Sequence, residues 1–420
     1  PKAGWYDTEG NLVDEADILS RYRDEVVGRC GIREFVDDQL IAPVADEEVE
    51  VYLDRDISFN VADEATARTI ADSDPAHTLI SEDSESGEWI VTRLAGSLAR
   101  VPRRAALSRT VGGQFPRDFD PQRWGIPASM TESLDRIASW NLVTAVEAFL
   151  NAGFSPAELL QAVHPADVAS TQGTGFGGME SMRKMFVGRF LNEERPSDIL
   201  QEALPNVGAS HVMQAFIGGD GSMGQPVSAC ATAAVSIEEG WDKIALGKAQ
   251  VVVAGAIDDI SVESVVGFGN MNATAEAAAM KAKGISPRHF SRANDRRRGG
   301  FVEAQVGGTV ILARGDVAAK LGLPVAAVLG FVSSYADGAH TSIPAPGLGA
   351  LAAGRGGSNS RLAKSLAKLG VEPDDIAVVS KHDTSTGAND PNESELHTRL
   401  ARALGRSEGN PLVAVSQKTI

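Results

Sequence analysis

Cysteine, aromatic side chains and long apolar runs are scarce in this sequence. Of its 420 residues only Cys30 and Cys230 are cysteines, and aromatic residues make up 5%. Two thiols cannot build the disulfide framework of a small secreted domain, and no signal-peptide pattern opens the chain. No apolar run approaches the roughly 18 residues that a membrane span requires. We therefore expect a protein of the reducing cytoplasm that does not enter a membrane.

An excess of positive charge and the common metal-binding motifs are also missing. The formal net charge is −17, so the surface as a whole repels nucleic acid and anionic lipid. Neither H-E-x-x-H nor paired Cys-x-x-Cys motifs occur, and we expect no metal site. The sequence is rich in glycine, with 43 residues, and 43% of it is hydrophobic. This composition is typical of globular α/β proteins.

Length and patterning predict two regions. A chain of 420 residues exceeds the roughly 250–300 residues of a single core. Residues 1–110 are acidic and irregular with short strand-like pieces, and we interpret them as an insertion or connecting region. In residues 111–420, helical patterns alternate with apolar strands, which predicts sheets layered with helices. The chain starts at Pro1 and stops at Ile420 within a strand-like run, so we expect it to be an internal piece of something longer.

The stretch V-S-A-C-A-T-A-A, residues 227–234, places Cys230 among small residues where a helical pattern begins. The start of a helix favours the thiolate, which is the nucleophilic form of cysteine. Small neighbours also leave room for a substrate carbonyl. The alternative is a small buried hydrophobe, the commonest fate of an unpaired cysteine. The stretch alone leaves both interpretations open, whereas Cys30 has no comparable context and is interpreted as structural.

Two further residues lie where apolar strands end. His382 follows "DDIAVVSK", and Lys418 follows "LVAVSQ". Strand ends are where α/β folds present active-site groups. A histidine that caps a loop and an ordinary surface lysine are the alternatives. Either residue could assist a nucleophile at Cys230.

Glycine-rich stretches supply further candidates. "GTGFGGMES", from Gly173, departs from the G-x-G-x-x-G dinucleotide fingerprint, so we interpret Phe176 as a pocket wall at a tight turn. "RRRGGFVEAQ" places Arg296, Arg297 and Arg298 before a glycine turn. These arginines are either a solvated loop or a phosphate contact.

Together, "SACATAA", "KHDTSTGAND", "SQKT" and "GTGFGG" resemble the motifs of the β-ketoacyl synthases, the condensing enzymes of the thiolase superfamily. "GFGNMNATAE" and "SRANDRRRGGFVEAQ" resemble the condensing domain of actinobacterial type I fatty acid synthases, with a similar domain in fungal synthases. The resemblance implies a thiolase-like α/β fold of two similar halves whose sheets sandwich helices, layered α-β-α-β-α. Residues 1–110 would be a family-specific insertion, and residues 111–420 a condensing core that is incomplete at its C-terminus.

The resemblance also implies the chemistry. Cys230 would hold an acyl group delivered by the 4'-phosphopantetheine arm of an acyl carrier domain. Malonyl on the same kind of carrier would lose CO2, and the enolate would attack the thioester, lengthening a fatty acid by two carbons. His382 would hold the enolate oxygen, and Lys418 would support the histidine. The domain itself would bind no cofactor and would act as a homodimer within a larger homo-oligomer, beside neighbouring fatty acid synthase domains.

Substrate contacts follow from the same resemblance. Thr384 and Thr386 are expected to bind the pantetheine amides. Phe176 and the 267–274 loop, including Phe268 and Met271, are expected to line the acyl channel. The residues expected to steer the acidic carrier or its phosphate are Arg296, Arg297 and Arg298.

Some positions depart from the family pattern. Asp383 replaces the glycine of the widespread His-Gly-Thr-Ser-Thr motif, and Gln305 stands where an acidic residue is frequent, with Glu303 earlier. A second family histidine would follow Ile420, so we expect this piece alone to be inactive. The alternatives are a polyketide synthase-type condensing enzyme, a thiolase, for which a second cysteine near the C-terminus is missing, or a non-catalytic structural segment of a megasynthase.

Overall fold

The computed structural model describes residues 5–7, 9–25, 31–35, 48–84, 86–102, 107–116, 118–188, 197–336 and 349–418. Its strands are β1 Trp5–Tyr6, β2 Leu12–Val13, β3 Ile32–Glu34, β4 Glu48–Tyr52, β5 Ile57–Val61, β6 Thr78–Glu82, β7 Trp89–Arg93, β8 Leu98–Pro102, β9 Val111–Gly113, β10 Val168–Gly173, β11 Met223–Gly224, β12 Val251–Asp258, β13 Val306–Ala313, β14 Val378–Lys381 and β15 Val413–Ser416.

Its α-helices are α1 Glu15–Asp17, α2 Glu64–Ser73, α3 Ala128–Ser133, α4 Arg136–Ala152, α5 Pro156–Leu160, α6 Met179–Phe186, α7 Ile199–Glu202, α8 Val207–Val212, α9 Thr232–Ala245, α10 Val262–Asn270, α11 Ala277–Ala282, α12 Gly315–Leu321, α13 Arg361–Lys368 and α14 Asp390–Leu404. Short 3-10 and π turns continue or precede several of them.

The largest described sheet has the order β11-β10-β12-β13, in which β13 alone runs antiparallel to its neighbour. Alternate residues of β12 face opposite sides of the sheet, as the period of a strand requires. Val251 and Val253 pack in the cluster that contains Leu142 and Phe149 of α4. Val252 and the alternate residues on the opposite face of β12 pack against α9. The sheet is therefore covered on both faces, which explains the apolar run of β12 and the complete burial of β10.

A second sheet consists of the parallel strands β14 and β15, joined through α14. Val378 pairs with Val413 and Lys381 pairs with Ser416 in the register. Because parallel strands point the same way, residues just after β14 and just after β15 emerge at one edge. This arrangement places His382 and Lys418 on the same side of the sheet.

The region before the core contains more regular structure than its acidic composition predicts. Strands β5, β7 and β6 form an antiparallel sheet, with Phe59 and Ile80 opposite Val91. Helix α2 packs against this sheet, and β4 pairs with β8. These strands are short and are separated by charged turns, so their periodicity in the sequence predicts only some of them. The boundary at residue 110 remains a prediction.

Candidate active site

Cys230 lies in a 3-10 turn, residues 229–231, directly before α9. The end of β10 packs so closely on the start of α9 that a Cβ at Gly173 would lie 2.3 Å from Thr232 Cγ2. The Thr232 hydroxyl donates a hydrogen bond of 2.7 Å to the carbonyl oxygen of Ala229. Cys230 is exposed, and no side chain caps the start of α9. The thiol is therefore accessible at the start of a helix. Cys30 lies outside the described residues.

The structure brings His382 and Lys418 together. The Lys418 ammonium donates a hydrogen bond of 2.7 Å to Nδ1 of His382. The amides of His382 and Asp383 donate to the Glu393 carboxylate of α14, at 2.6 and 2.8 Å. The imidazole is thereby fixed from two directions: Glu393 holds its backbone, and Lys418 holds its ring.

These contacts set the protonation of the histidine. Because Nδ1 accepts from Lys418, the neutral ring carries its proton on Nε2, which is free to act as a donor. Burial, followed by the charge of Lys418, lowers the pKa of His382 below its ordinary value of 6.5. The carboxylates of Glu393, Asp383 and Asp390 oppose this shift. A neutral imidazole with an Nε2 proton is the form that can hold an oxyanion at neutral pH.

Electrostatics connects the histidine pair to the thiol. Burial lowers the pKa of Lys418, while the Cys230 thiolate and the Glu393 carboxylate act in the opposite direction. Burial also favours the neutral form of Glu393. Hydrogen bonds from His397 and from the amides of Asp383 and His382 outweigh that effect and hold the pKa of Glu393 well below its ordinary range. Glu393 therefore stays ionised beside the two bases.

Thr384 and Thr386 lie in the loop after His382. Their hydroxyl oxygens are 3.0 Å apart, and Thr386 also accepts from the amide of Asn389 at 3.0 Å. Both residues are half-buried. We call residues 382–390 the histidine loop. Its two hydroxyls therefore lie side by side and bond each other.

Three aromatic rings form a continuous wall. Phe176 lies 5.7 Å from Phe268, and Phe268 lies 5.1 Å from Phe301, both pairs in an edge-to-face arrangement. Phe176 and Met271 are 41% and 42% exposed. Phe301 was not predicted to be part of this wall, although an aromatic residue directly after two glycines was the available signal. Gly300 has φ +132°, and a Cβ there would lie 2.5 Å from the backbone of Thr274.

The three predicted arginines differ in their surroundings. Arg296 and Arg297 are exposed. The Arg298 guanidinium instead donates to the carbonyl oxygens of Thr386 and Asp295, at 3.0 and 2.9 Å. Arg298 is therefore engaged within the protein, and it connects to the histidine loop. Lysines and arginines dominate this part of the chain, residues 281–300, which we call the basic segment: its only acidic residue is Asp295.

Glu303 and Gln305, both half-buried, have different surroundings. The Gln305 amide group donates to Asp259 at 3.1 Å and accepts from the amide of Phe115 at 2.9 Å. The Ser264 hydroxyl of α10 lies 2.6 Å from the Glu303 carboxyl group. Burial outweighs this hydrogen bond and raises the pKa of Glu303 from 4.5 to about 7. The neutral Gln305 side chain thus links separate segments of the chain. Glu303 keeps its proton to a higher pH than an exposed glutamate does.

Replacing Glu303 by glutamine is expected to stabilise the protein at alkaline pH. Folding raises the pKa of Glu303, so this group stabilises the folded protein below the ordinary pKa of 4.5. That stability is lost as the pH rises through the folded pKa of about 7. The ionised group costs roughly 3 kcal/mol at pH 8, so E303Q should raise the free energy of unfolding by about 2–3 kcal/mol there and by about 1 kcal/mol or less at pH 5. Denaturant unfolding at both pH values measures this. Glu263→Gln, at an exposed position of α10, is the control, and an equal gain at both pH values would contradict the expectation.

No group of His, Cys, Asp and Glu side chains within the described ranges is arranged to hold a metal ion. Over the same ranges, no helix is both long enough and apolar enough to cross a membrane.

Comparison with known sequences decides the family. Residues 60–318 match the N-terminal domain of β-ketoacyl synthases, and residues 325–420 match the C-terminal domain. The chain belongs to the β-ketoacyl synthase family. The predicted resemblance and the acyltransferase-type condensing class of the domain are thereby confirmed, and the roles of individual residues stay predictions.

Relatives with curated names are fatty acid synthases of fungi, one of the two groups that the sequence resembles. The chain is 34% identical over 423 residues to fatty acid synthase 2 of Mycosarcoma maydis, covering 99% of this chain and 11% of the relative. It is 34% identical over 427 residues to fatty acid synthase alpha subunit stcJ of Emericella nidulans, covering 99% and 27%. It is 30% identical over 514 residues to the alpha subunit of Candida albicans, covering 100% and 27%. The chain thus spans between about a tenth and a quarter of these relatives.

Solved structures confirm the thiolase-like ketosynthase fold. The ketosynthase FabY from P. aeruginosa superimposes with a TM-score of 0.76 at 23% identity, covering 99% of this chain and 64% of that one. A β-ketoacyl synthase from Burkholderia phymatum gives a TM-score of 0.61 at 20% identity, covering 89% and 81%. At these identities the likeness concerns the fold of the β-ketoacyl synthases. The roles of the site residues remain predictions.

Proposed function

We propose that the chain is the condensing unit of a fatty acid synthase and that Cys230, His382 and Lys418 carry its chemistry. The observation that supports this most directly is the 2.7 Å bond from Lys418 to Nδ1 of His382, which leaves an Nε2 donor. Lys418 also lies within electrostatic reach of Cys230. A nucleophile and an oxyanion donor are the two groups that a decarboxylating condensation needs.

The first half-reaction loads the enzyme. The Cys230 thiolate attacks the carbonyl carbon of an acyl thioester on a carrier. A bond from carbon to the Cys230 sulfur forms, the bond to the carrier sulfur breaks, and the carrier thiolate takes up a proton. The Cys230 side chain is exposed directly before α9, so an acyl thioester can reach it.

The second half-reaction forms the carbon–carbon bond. Malonyl on a carrier loses CO2, and the bonding electrons become a thioester enolate whose oxygen accepts from Nε2 of His382. The enolate α-carbon attacks the acyl carbon on Cys230, the carbon–sulfur bond breaks, and the thiolate returns. The product is a β-ketoacyl carrier that is longer by two carbons. Because Lys418 holds the other ring nitrogen, His382 can donate without first changing tautomer.

Substrate binding is assigned to groups around this centre. Thr384 and Thr386 bind the amides of the 4'-phosphopantetheine arm. The aromatic wall of Phe176, Phe268 and Phe301 lines the acyl channel together with Met271, because an alkyl chain gains most from an apolar surface. The chain binds no cofactor of its own in this scheme.

The exposed side chains of the basic segment are proposed to dock the carrier. Residues 281–300 contain seven lysines and arginines and one acid, within a chain of net charge −17. Lys283, Arg288, Arg296 and Arg297 are exposed. A local positive surface on an acidic protein selects an acidic partner by steering. Arg298 contributes by holding the histidine loop.

Reversing two of these charges is expected to weaken docking without slowing chemistry. R296E combined with R297E should raise the KM for acyl carrier about tenfold at low salt, with kcat within about twofold. The difference should shrink at high ionic strength because salt screens exposed charges. Steady-state assays with carrier-bound substrate measure this, and the same assay with an acyl-pantetheine that lacks the carrier is the control. A loss of kcat with both substrates would contradict a docking role.

The wider setting is proposed from the relatives and the composition. The protein works in the cytoplasm as a homodimer within a larger homo-oligomer, beside other domains of a fatty acid synthase. Neither nucleic acid nor a membrane is a partner. These assignments concern the whole protein, of which the chain matches only a part in its relatives.

A product assay on the full-length protein tests the proposal. With hexanoyl carrier and malonyl carrier, mass spectrometry should detect a β-ketooctanoyl carrier, and one CO2 should be released per product. A thiolase would instead condense acetyl thioesters without malonyl and without CO2. A structural segment would form no acyl adduct at all. Hexanoyl carrier that remains unchanged beside malonyl carrier would overturn the proposal.

A further inference from the structure

Asp383 has an uncommon backbone conformation for its residue type. Its φ is +38°, in the region that favours glycine, and the residue is 1% exposed. Non-glycine residues persist in such conformations only where the surroundings determine them. The position directly after the proposed oxyanion donor His382 therefore holds a buried carboxylate where a glycine would be less strained.

The carboxylate has two partners from different segments. Its Oδ1 lies 2.7 Å from the Lys381 ammonium, and both side chains are at least nine-tenths buried. Its Oδ2 accepts a hydrogen bond of 3.0 Å from the side chain of Asn294 in the basic segment. Lys381 also donates to Ser394 of α14 at 3.0 Å. Asp383 thus neutralises a buried lysine and connects the histidine loop to the basic segment.

Neighbouring bonds strengthen the same connection. Ser385 has φ +64°, and its hydroxyl accepts from the amide of Arg292 at 3.0 Å. The carbonyl oxygen of Ser385 accepts from the amide of Gly300 at 3.1 Å. The amide of Asn294 donates to Asp390 at 2.9 Å. The histidine loop consequently lies on the basic segment along its length, from Arg292 to Gly300.

We propose that Asp383 is a positioning residue that fixes His382 for decarboxylation by joining Lys381 to Asn294. The inference rests on the proposed function of His382. The acyl transfer to Cys230 does not use this link, because that step does not use the Nε2 donor of His382. Loss of the link should therefore affect one half-reaction.

The charges that face His382 give the proposal a second readout. They are the Lys418 ammonium after β15, the Glu393 and Asp390 carboxylates of α14, and Asp383 itself. Of these carboxylates, Asp383 lies next to Lys381, and Asp390 lies next to Arg298. Asp383 favours the protonated imidazole. Its removal should move the acid limb of the decarboxylation rate to lower pH.

D383G tests the proposal in the full-length protein, because glycine fits the observed φ. Malonyl carrier decarboxylation should fall about ten- to a hundredfold, with Cys230 acylation within about twofold. The acid limb should move to lower pH. D383N, which keeps a bond to Asn294 but not the charge, should show the same pH shift with a smaller rate loss. Asp220→Gly, at an exposed residue with φ +67°, is the matched control.

The results separate three cases. An equal fall of both half-reactions in D383G and D383N, or no fall in either, would overturn the positioning role. Lys381→Met in the D383G background removes the lysine that D383G leaves unpaired. If this second change restores the original acid limb, the result supports the positioning role. If the unmodified protein formed no acyl adduct on Cys230, the proposed function itself would fail, independently of Asp383.

Discussion

Replacing Cys230 by serine is expected to lower the condensation rate at least about 10^4-fold, because the hydroxyl is a far weaker nucleophile than a thiolate at neutral pH. A serine hydroxyl stays protonated at neutral pH, and the thiolate is the nucleophilic form of cysteine. The side chain is exposed, so the substitution opens no cavity and the protein should unfold at an unchanged temperature. Product formation and the mass of the peptide that contains residue 230 are the measurements.

C30S is the matched control for this experiment, because it removes the other thiol of the chain. It should retain condensation and the acyl adduct on Cys230. A thiol-directed inhibitor should label Cys230 in the unmodified protein. An adduct on Cys30 with none on Cys230, or normal elongation by C230S, would disprove the assignment of the nucleophile.

Replacing His382 by leucine is expected to slow decarboxylation by about 10²- to 10³-fold, the loss that follows removal of one oxyanion donor. Leucine is apolar and similar in size, so it removes the Nε2 donor with little change in packing. Acylation of Cys230 should persist, because that step does not use the donor. Release of CO2 from malonyl carrier and the mass of acylated enzyme measure the two steps. H77L, at a histidine paired with Asp74, is the control.

The same site predicts a pH dependence. Because burial and Lys418 lower the pKa of His382, the acid limb of the decarboxylation rate should lie below pH 6.5. K418M removes the neighbouring positive charge, so the acid limb should move to higher pH. An acid limb that stays in place in K418M would contradict the ring contact. Equal losses of acylation and decarboxylation in H382L would contradict the role of His382.

The proposed catalytic positions could be predicted from the sequence because their signals are local. A helical pattern after Cys230 and apolar runs before His382 and Lys418 predict a helix start and two strand ends, and the structure has them there. The two strand ends meet because β14 and β15 pair in parallel. Periodicity alone does not specify that pairing.

Other features depend on contacts between distant segments. Phe301 follows two glycines like many core residues, and only its distance to Phe268 shows that it extends the wall. Arg298 has the same sequence context as its exposed neighbours, yet its guanidinium bonds the histidine loop. The family pattern identified Asp383 as a departure, but its pairing with Lys381 and Asn294 required the folded chain.

The uncapped start of α9 has a consequence for the resting protein. A serine, threonine or aspartate cap typically contributes about 1 kcal/mol to a helix, and this helix begins without one. The unliganded protein therefore lacks that contribution to the stability of this helix. An anionic inhibitor held at this position would restore that loss, and the protein should melt at a higher temperature in its presence.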